Sequence, residues 1–413
     1  MKLDTKYMRY ITQEDWKVLT AVEMLSKNHE VVPTKLIGQQ SHLGGSTARS
    51  ISALAKIGLI ARLRNAKYDG YRLTYGGLDY LALHTHNNKS AVYSVGNQIG
   101  VGKESDIFVV ASPTGRQLVL KIHRLGRISF RTVKANRDYL RNKQGGSWMY
   151  MSRLAALKEY AFLVALREHN FPVPEPIAQS RHTLVMSLID AFPMRQIASV
   201  PDPASLYAEL IAMILRLAQY GLIHGDFNEF NILVEEKADP AAKGGVALTP
   251  ILIDFPQMVS VDHTNAEYYF DRDVNCIKRF FKRRFQFTPT EAGPHFAEAR
   301  KLIGKDGAVR LDVNVEASGF SRKQAKELEA YMKSVGVDGD GDPNAPRADL
   351  EENAADDDNE DEEESDFVEE EEPEAEPAEP VEKKEWRDDV EYTTDRLGNT
   401  VEVLKTLSVD DKT

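Results

Sequence analysis

Asp226 and Asn231 stand five residues apart in the run His224-Gly225-Asp226-Phe227-Asn228-Glu229-Phe230-Asn231, and a second carboxylate, Asp254, ends the apolar stretch Ile251-Leu252-Ile253 before Phe255-Pro256. This pairing of a polar loop with a strand that ends on an acid constrains the fold more than any other feature of the chain. Loops and strand ends present side chains at the mouth of a cleft, so the spacing calls for a lobe that turns both toward one pocket. In such a pocket one carboxylate orients a nucleophile, while an amide and a second carboxylate hold magnesium. Those are the protein groups that phosphoryl transfer from ATP requires, and they occur here in the order in which kinases carry them. The plain alternative is a loop acid at Asp226 and a turn cap at Asp254. His224 is expected to be a packed structural residue, not a proton-transfer base.

Upstream, residues 92 to 122 change to a period of two: Ser94-Val95-Gly96, then Gly100-Val101-Gly102-Lys103-Glu104-Ser105-Asp106, then Ile107-Phe108-Val109-Val110 and Leu118-Val119-Leu120-Lys121. This reads as strands around a glycine-rich turn, where backbone N–H groups approach phosphates without a Cβ in the way. Gly100, Gly102, Lys103 and Ser105 are the candidate ATP-binding turn. Ser105 replaces a third glycine and offers a hydroxyl, although two glycines in a hairpin are also simply a turn. Lys121 closes its strand where a kinase places the lysine for the α and β phosphates. Glu159, on an amphipathic helix from Met151 to His169, is the carboxylate expected to hold Lys121. Glu168 is the fallback, and an exposed helical glutamate is the plain reading. Met186 to Ile189 is expected to link two lobes and offer backbone groups to the adenine edge, with Met186 and Ile189 as its ends; the same residues also read as ordinary core strand.

A chain of 413 residues with 42% apolar content supports at least two cores and a tail. The net charge of −12 misleads: residues 349 to 382 hold 20 of the 64 acidic residues and no Lys or Arg, so the remainder, 52 basic against 44 acidic, carries +8. A mildly basic body permits a polyanionic partner and equally fits a solvated surface. One cysteine, Cys276, forms no internal disulfide, and the N-terminus lacks a secretory core and cleavage site, which predicts a cytoplasmic or nuclear protein. Leu210 to Ile223, the longest apolar stretch, is interrupted by Arg216 and Gln219, and no membrane partner is expected.

The predicted fold class is α+β: an N-terminal winged helix, a minimal two-lobed protein-kinase-like domain and a disordered acidic C-terminal tail. Its predicted parts are a winged helix over 1–90; an N-lobe over 91–189 with a basic flexible insertion at 124–147; a C-lobe and following helices over 190–335; a disordered tail over 336–390; and a C-terminal segment over 391–413. The winged helix follows from helical spacing at Trp16, Leu19, Val22 and Leu25, a helix opening at Thr34, and a third from Ser46 to Ile57. Strands on either side of Asp69-Gly70 and a helix from Gly77 to Leu83 complete it. The insertion ends in Gly145-Gly146. Further helices are expected over Ala204 to Gln219 and Tyr268 to Phe285, with surface helices over Pro294 to Ile303 and Ser321 to Val335. The carboxylate-rich tail lacks the apolar surface to offset chain entropy. Arg49, Lys56, Arg62, Arg64, Lys67 and Arg72 on the third helix and wing are candidate nucleic-acid contacts, against the alternative of a protein dock. Val401, Leu404, Leu407 and Val409 have the spacing of a nuclear export signal, a pattern also frequent by chance.

From about residue 1 to 290 the chain resembles the RIO family of atypical protein kinases, specifically the RIO kinase 2 subfamily. The residues that carry this are Gly100-Val-Gly-Lys-Glu-Ser-Asp106, Val119-Leu-Lys121, His224 to Asn231 and Ile253-Asp-Phe-Pro256, together with the winged helix. The resemblance implies that Lys121 and Ser105 contact phosphates, that Asp226 is the catalytic aspartate, and that Asn231 and Asp254 bind Mg2+. Pro256 stands where ordinary kinases have glycine, and neither an Ala-Pro-Glu segment nor a large substrate lobe follows. By resemblance the chain is an ATP-dependent serine/threonine kinase or ATPase, monomeric, acting on the pre-ribosomal small subunit with its rRNA and ribosomal proteins, and Asp254 transiently takes the phosphoryl group. A nucleotide-binding scaffold switched by ATP occupancy without turnover is the alternative. A DNA-binding regulator fits less well, since the acidic tail repels duplex.

Overall fold

The computed structural model describes residues 3–62, 69–102, 104–125, 144–291, 293–317, 322–334, 390–394 and 400–404. They fall in two units, 1–345 and 346–413.

The first unit opens with α1 (Gln13–Leu25), started by Thr12 and Asp15, each of which accepts the other's backbone N–H in a capping box. Strand β1 (Val32–Pro33), α2 (Thr34–Ser41), α3 (Thr47–Lys56), β2 (Ile60–Arg62), β3 (Gly70–Leu73) and α4 (Tyr75–Asn88) complete a winged helix over one buried cluster that includes Trp16, Leu19, Val22, Ile51 and Leu54. The wing sheet has three strands, because β1 pairs with β3. Two residues are too few to show an alternation, so the sequence is silent there. Helix α4 extends well beyond the expected Gly77–Leu83: the Thr74 side chain accepts the Gly77 N–H and starts the helix ahead of two glycines.

Strands β4 (Ser94–Val101), β5 (Ser105–Ala111), β6 (Gln117–His123), β7 (Pro176–Ser180) and β8 (Thr183–Ser187) form an antiparallel sheet in the order β4-β5-β6-β8-β7. Strand β6 shows why both faces are covered. Leu118, Leu120 and Ile122 pack with Leu83 of α4, while Val119 joins Leu154, Leu163 and Leu166 of α5 (Gln144–Glu168). The winged helix is therefore packed against the sheet as its second cover. Two expectations for the insertion are corrected. Helix α5 begins at Gln144 and runs through Gly145-Gly146, and Arg124 and Leu125 are fully buried. The basic run looked solvated because nothing local shows that Arg124 has buried acidic partners. Residues 126–143 lie outside the described residues.

The second lobe contains β9 (Phe192–Pro193), α6 (Pro203–Gln219), β10 (Leu222–Ile223), β11 (Ile232–Ala238), β12 (Val246–Leu252), β13 (Val259–Ser260) and α7 (Ala266–Arg284). Helices α8 (Phe296–Arg300), α9 (Leu311–Ala317) and α10 (Arg322–Ser334) follow. Helices α8 and α10 were expected on the surface, and α9 was not expected at all. Leu311, Val315, Leu328 and Met332 are instead buried in the core shared by both lobes, and α9 and α10 pack on α5. One apolar pair at i and i+4 suffices to bury a short helix, a signal too sparse to read in polar sequence. No helix among the described residues is long and apolar enough to cross a membrane.

In the second unit β14 (Val390–Thr394) pairs antiparallel with β15 (Thr400–Leu404). The predicted disordered tail up to residue 389, and Leu407 and Val409 of the export pattern, lie outside the described residues.

A Cβ on Gly77 would run into the carbonyl oxygen of Leu59 and come within 2.8 Å of Leu73 Cδ1. Alanine gains about 1 kcal/mol in helix propensity, but forcing α4 off the wing costs about 1–3 kcal/mol. Gly77→Ala is expected to lower the Tm; a Tm at or above that of the parent chain would show that α4 moves freely.

Candidate active site

The register of one hairpin assembles the site. Strands β11 and β12 pair Ile232 with Leu252, which brings Asn231 and Ile253 abreast, and the Ile253 N–H donates to the Asn231 carbonyl at 3.0 Å. The loop amide and the acid at the strand end are thus neighbours because the ladder makes them so. Asn231 Nδ2 donates to Asp226 Oδ2 at 2.8 Å and to the Asp226 carbonyl at 2.9 Å, which reserves its amide oxygen for a cation. Asn228 Nδ2 donates to Asp226 Oδ1 at 2.7 Å, and its own oxygen accepts the Phe230 N–H. Two amides therefore aim the half-buried Asp226 carboxylate.

The backbone of this loop is held from below. Asp273 of α7, buried, accepts the Gly225 N–H at 2.8 Å and the Phe227 N–H at 2.9 Å. Burial pushes its carboxyl up to about 7, against the pull of those two donors. Arg272 Nη2 donates to the Gly225 carbonyl and stacks over Tyr269. Gly225 has φ +77°, and a Cβ there would come within 2.7 Å of the Gln257 carbonyl oxygen, so the turn requires glycine. His224 is buried between the edges of Phe227 and Phe255, and burial pushes its pKa down to about 4. It is neutral near pH 7, and its Nδ1 accepts the Asp226 N–H.

Across the cleft, the alternation of β6 sends Lys121 and His123 to the side of α5. Lys121 Nζ donates to Glu159 Oε1 at 2.8 Å and to Asp254 Oδ1 at 2.9 Å. His123 Nε2 lies 2.7 Å from Glu159 Oε2, both atoms buried. Burial would lower the Lys121 pKa, but the two carboxylates outweigh it and hold the ammonium charged. Burial likewise opposes the charge on Glu159, yet Lys121 and His123 bring that carboxyl down to about 2. Glu168, the fallback, is exposed. Asp254 differs from Glu159 in being 40% exposed, and its backbone is left-handed, φ +70°. A non-glycine residue held there is strained, and aspartate is among the few that tolerate it.

Gly100 is the penultimate residue of β4 and Ser105 opens β5, with the Gly102 N–H donating to the Ser105 carbonyl at 2.7 Å. A Cβ on Gly102 would stand 3.2 Å from that carbonyl oxygen, and one on Gly100 3.3 Å from Ile107 Cγ1. The cradle is thus narrow enough that a side chain would crowd it. Lys103 lies outside the described residues. Met186 is buried in β8 opposite Val119, and Ile189 is half-buried just past the strand. Among the described residues no three acidic, histidine or cysteine side chains cluster as metal ligands. Magnesium asks for less: one or two carboxylates, completed by phosphates and water. Asp254, the Asn231 oxygen, the glycine cradle and the Lys121 ammonium fit that demand.

On the winged helix Arg49, Lys56 and Arg72 are exposed, Arg62 is paired with Asp69 at 2.8 Å, and Arg64 and Lys67 lie outside the described residues. A concavity of about 430 Å³ lined by Asn275, Lys278, Arg279 and Lys282 lies on the opposite face of α7 from Asp273 and does not reach the cleft. Sequence reading missed Asn228, Asp273 and His123. An Asp-x-Asn turn signals the first; the other two act across tertiary contacts that leave no local trace.

Glu159→Gln leaves Lys121 with Asp254 alone, and breaking a buried pair costs about 3–5 kcal/mol. Because the folded pKa of Glu159 is depressed from 4.5 to about 2, its contribution is full above pH 4.5 and is lost as pH falls toward 2. The Tm deficit of the variant is expected to be large at pH 7 and to shrink in that window; a deficit independent of pH would refute the ion pair.

Comparison with known proteins agrees with this geometry. A RIO domain model matches residues 106–292 and a Rio2 N-terminal model matches residues 8–89. Serine/threonine-protein kinase rio2 of Schizosaccharomyces pombe is 53% identical over 81% of this chain and 93% of its own length. The RIO-type kinase Rio2 of Methanocaldococcus jannaschii is 34% identical over 62% of this chain and 92% of its own. The crystal structure of the Rio2 kinase-ADP/Mg2+-phosphoaspartate complex from Chaetomium thermophilum superimposes with a TM-score of 0.76 at 68% identity, covering 81% of this chain and 99% of that one. With its winged helix, its glycine turn and its Asp226–Asn231–Asp254 cleft, the chain belongs to the Rio2 family of serine/threonine-protein kinases.

Proposed function

We propose that this chain is an ATP- and Mg2+-dependent enzyme that passes the γ-phosphoryl group to its own Asp254 and then to water, and that this turnover times its departure from an immature small ribosomal subunit. The observation that carries the first half is the state of Asp254: exposed enough to react, strained at φ +70°, and held against the Lys121 ammonium. The phosphoaspartate in the Chaetomium thermophilum Rio2 complex supports the same reading. In the step, a carboxylate oxygen of Asp254 bonds to the γ-phosphorus while the bond to the β-phosphate oxygen breaks and ADP leaves. Water then cleaves the acyl phosphate, returning the carboxylate and releasing phosphate. Bound magnesium would supply charge neutralisation to the phosphates, and Asn231 and Asp254 are the residues that would hold it. Lys121 draws charge from the phosphates, the glycine turn orients them, and Asp226 orients the acceptor, whether water or the hydroxyl of a serine or threonine.

The second half rests on the family resemblance and on charge. The body of the chain is basic once the acidic segment is set aside, and Arg49, Lys56 and Arg72 are exposed on the winged helix. These suit phosphates of rRNA. The chain acts as a monomer in the cytoplasm and passes through the nucleus.

Incubation with γ-labelled ATP is expected to leave a hydroxylamine-labile label that Asp254→Asn abolishes, while Asp226→Ala slows ATP turnover about 100-fold or more. Unchanged turnover in both variants would end the enzymatic reading. Release from pre-ribosomal particles by a nonhydrolysable analogue as readily as by ATP would favour the scaffold.

A further inference from the structure

Strand β6 faces two ways. Its odd residues, Lys121 and His123, point at the cleft, and the same alternation sends Ile122 and Arg124 toward the winged helix. Arg124 is 1% exposed. Its Nη1 and Nη2 donate to both oxygens of Asp79 on α4, at 2.8 and 2.7 Å, in the bidentate form that fixes a guanidinium in orientation as well as place. His182 Nε2 lies 2.8 Å from Asp79 Oδ1 and completes the hold. Burial works against the Asp79 charge, but Arg124 and His182 outweigh it and keep the carboxyl below its ordinary range.

The other edge of the guanidinium points at the glycine turn. Arg124 Nε donates to Asp106 Oδ2 at 3.2 Å, Gln98 Nε2 donates to Asp106 Oδ1 at 3.2 Å, and the Arg124 backbone N–H donates to the Glu104 carbonyl at 2.5 Å. Gln98 and Asp106 flank Gly100 and Gly102 on β4 and β5. One arginine thus braces both strands of the turn at their root, and the acid that locks that arginine comes from another domain.

We propose that the winged helix is a working part of the nucleotide site: Asp79 fixes Arg124, Arg124 fixes the root of the glycine-rich turn, and both are positioning residues for phosphate binding. The inference rests on the nucleotide reading of the cleft. It makes the occupancy of the winged helix and that of the cleft thermodynamically coupled, since a ligand that shifts α4 moves Asp79. A second link between the domains provides a control. Arg181 pairs with both oxygens of Glu23 on α1 at 2.7 Å and reaches the Leu81 carbonyl, without touching the turn.

Calorimetry with ADP and MgCl2 on the full chain tests this. Asp79→Asn and Arg124→Lys are expected to raise the Kd about tenfold, with kcat at saturating ATP held within about twofold, the signature of lost ground-state positioning. Glu23→Gln lowers the Tm but leaves the Kd unchanged. A parental Kd in folded Asp79→Asn and Arg124→Lys, or an equal rise in Glu23→Gln, overturns the proposal. Should those two variants fail to fold, amide exchange of the parent chain decides: ADP and MgCl2 must slow exchange across residues 75–88, and no slowing there overturns it. Absence of ADP binding by the parent chain would remove the nucleotide reading and this inference together, whereas binding indifferent to Asp79 removes this inference alone.

Discussion

A single buried ammonium sets the distance between the lobes. Lys121 comes from the sheet, Glu159 from the helix that covers it and Asp254 from the strand end of the other lobe, and the lysine touches both acids within 2.9 Å. An unpaired charge in that position would cost several kcal/mol, so the three elements are compelled to meet. In the proposed function the triphosphate and Asp254 draw on the same ammonium, which would tie phosphate binding to the freedom of the carboxylate proposed to accept the phosphoryl group. Everything around the triad serves to place its members: the alternation of β6, the close approach of His123 to Glu159, and the ladder that sets Asn231 beside Ile253.

Much of this was legible because it is written locally. Period-two alternation marks β4 to β6, and the Asp226, Asn231 and Asp254 order survives any reasonable placement of helix ends. The apolar stripe of α1 at Trp16, Leu19, Val22 and Leu25 likewise depends only on neighbours. What escaped is non-local. Arg124 sits in a basic run and reads as solvated, since arginine is rarely buried without partners; its partner Asp79 lies 45 residues away. Asp273 reaches the catalytic loop from a helix 46 residues downstream of Phe227. The start of α5 was hidden by Gly145-Gly146, which signal a turn until tertiary packing overrides them. Helices α9 and α10 bury so few apolar residues that their faces carry little pattern.

The winged helix and the kinase domain look separable in sequence, with a change of period to two from residue 92. Their packing makes them less so. The same sheet buries one face on α4 and the other on α5, and the Arg124–Asp79 contact between the domains is as buried as the Lys121–Glu159 pair at the active site. The winged helix and the cleft are therefore packed on two sides of one shared sheet.

Helix α5 carries one more implication. At its middle Glu159 grips Lys121, and α9 and α10 pack against it, with Tyr150 bonded to Glu327 of α10. In kinases whose glutamate helix swings outward, that swing can serve as an off switch. Here the helix is bolted to the end of the folded body, so rocking it would tear two further helices from the core. A ligand that relied on displacing this helix would have to break those packed contacts as well.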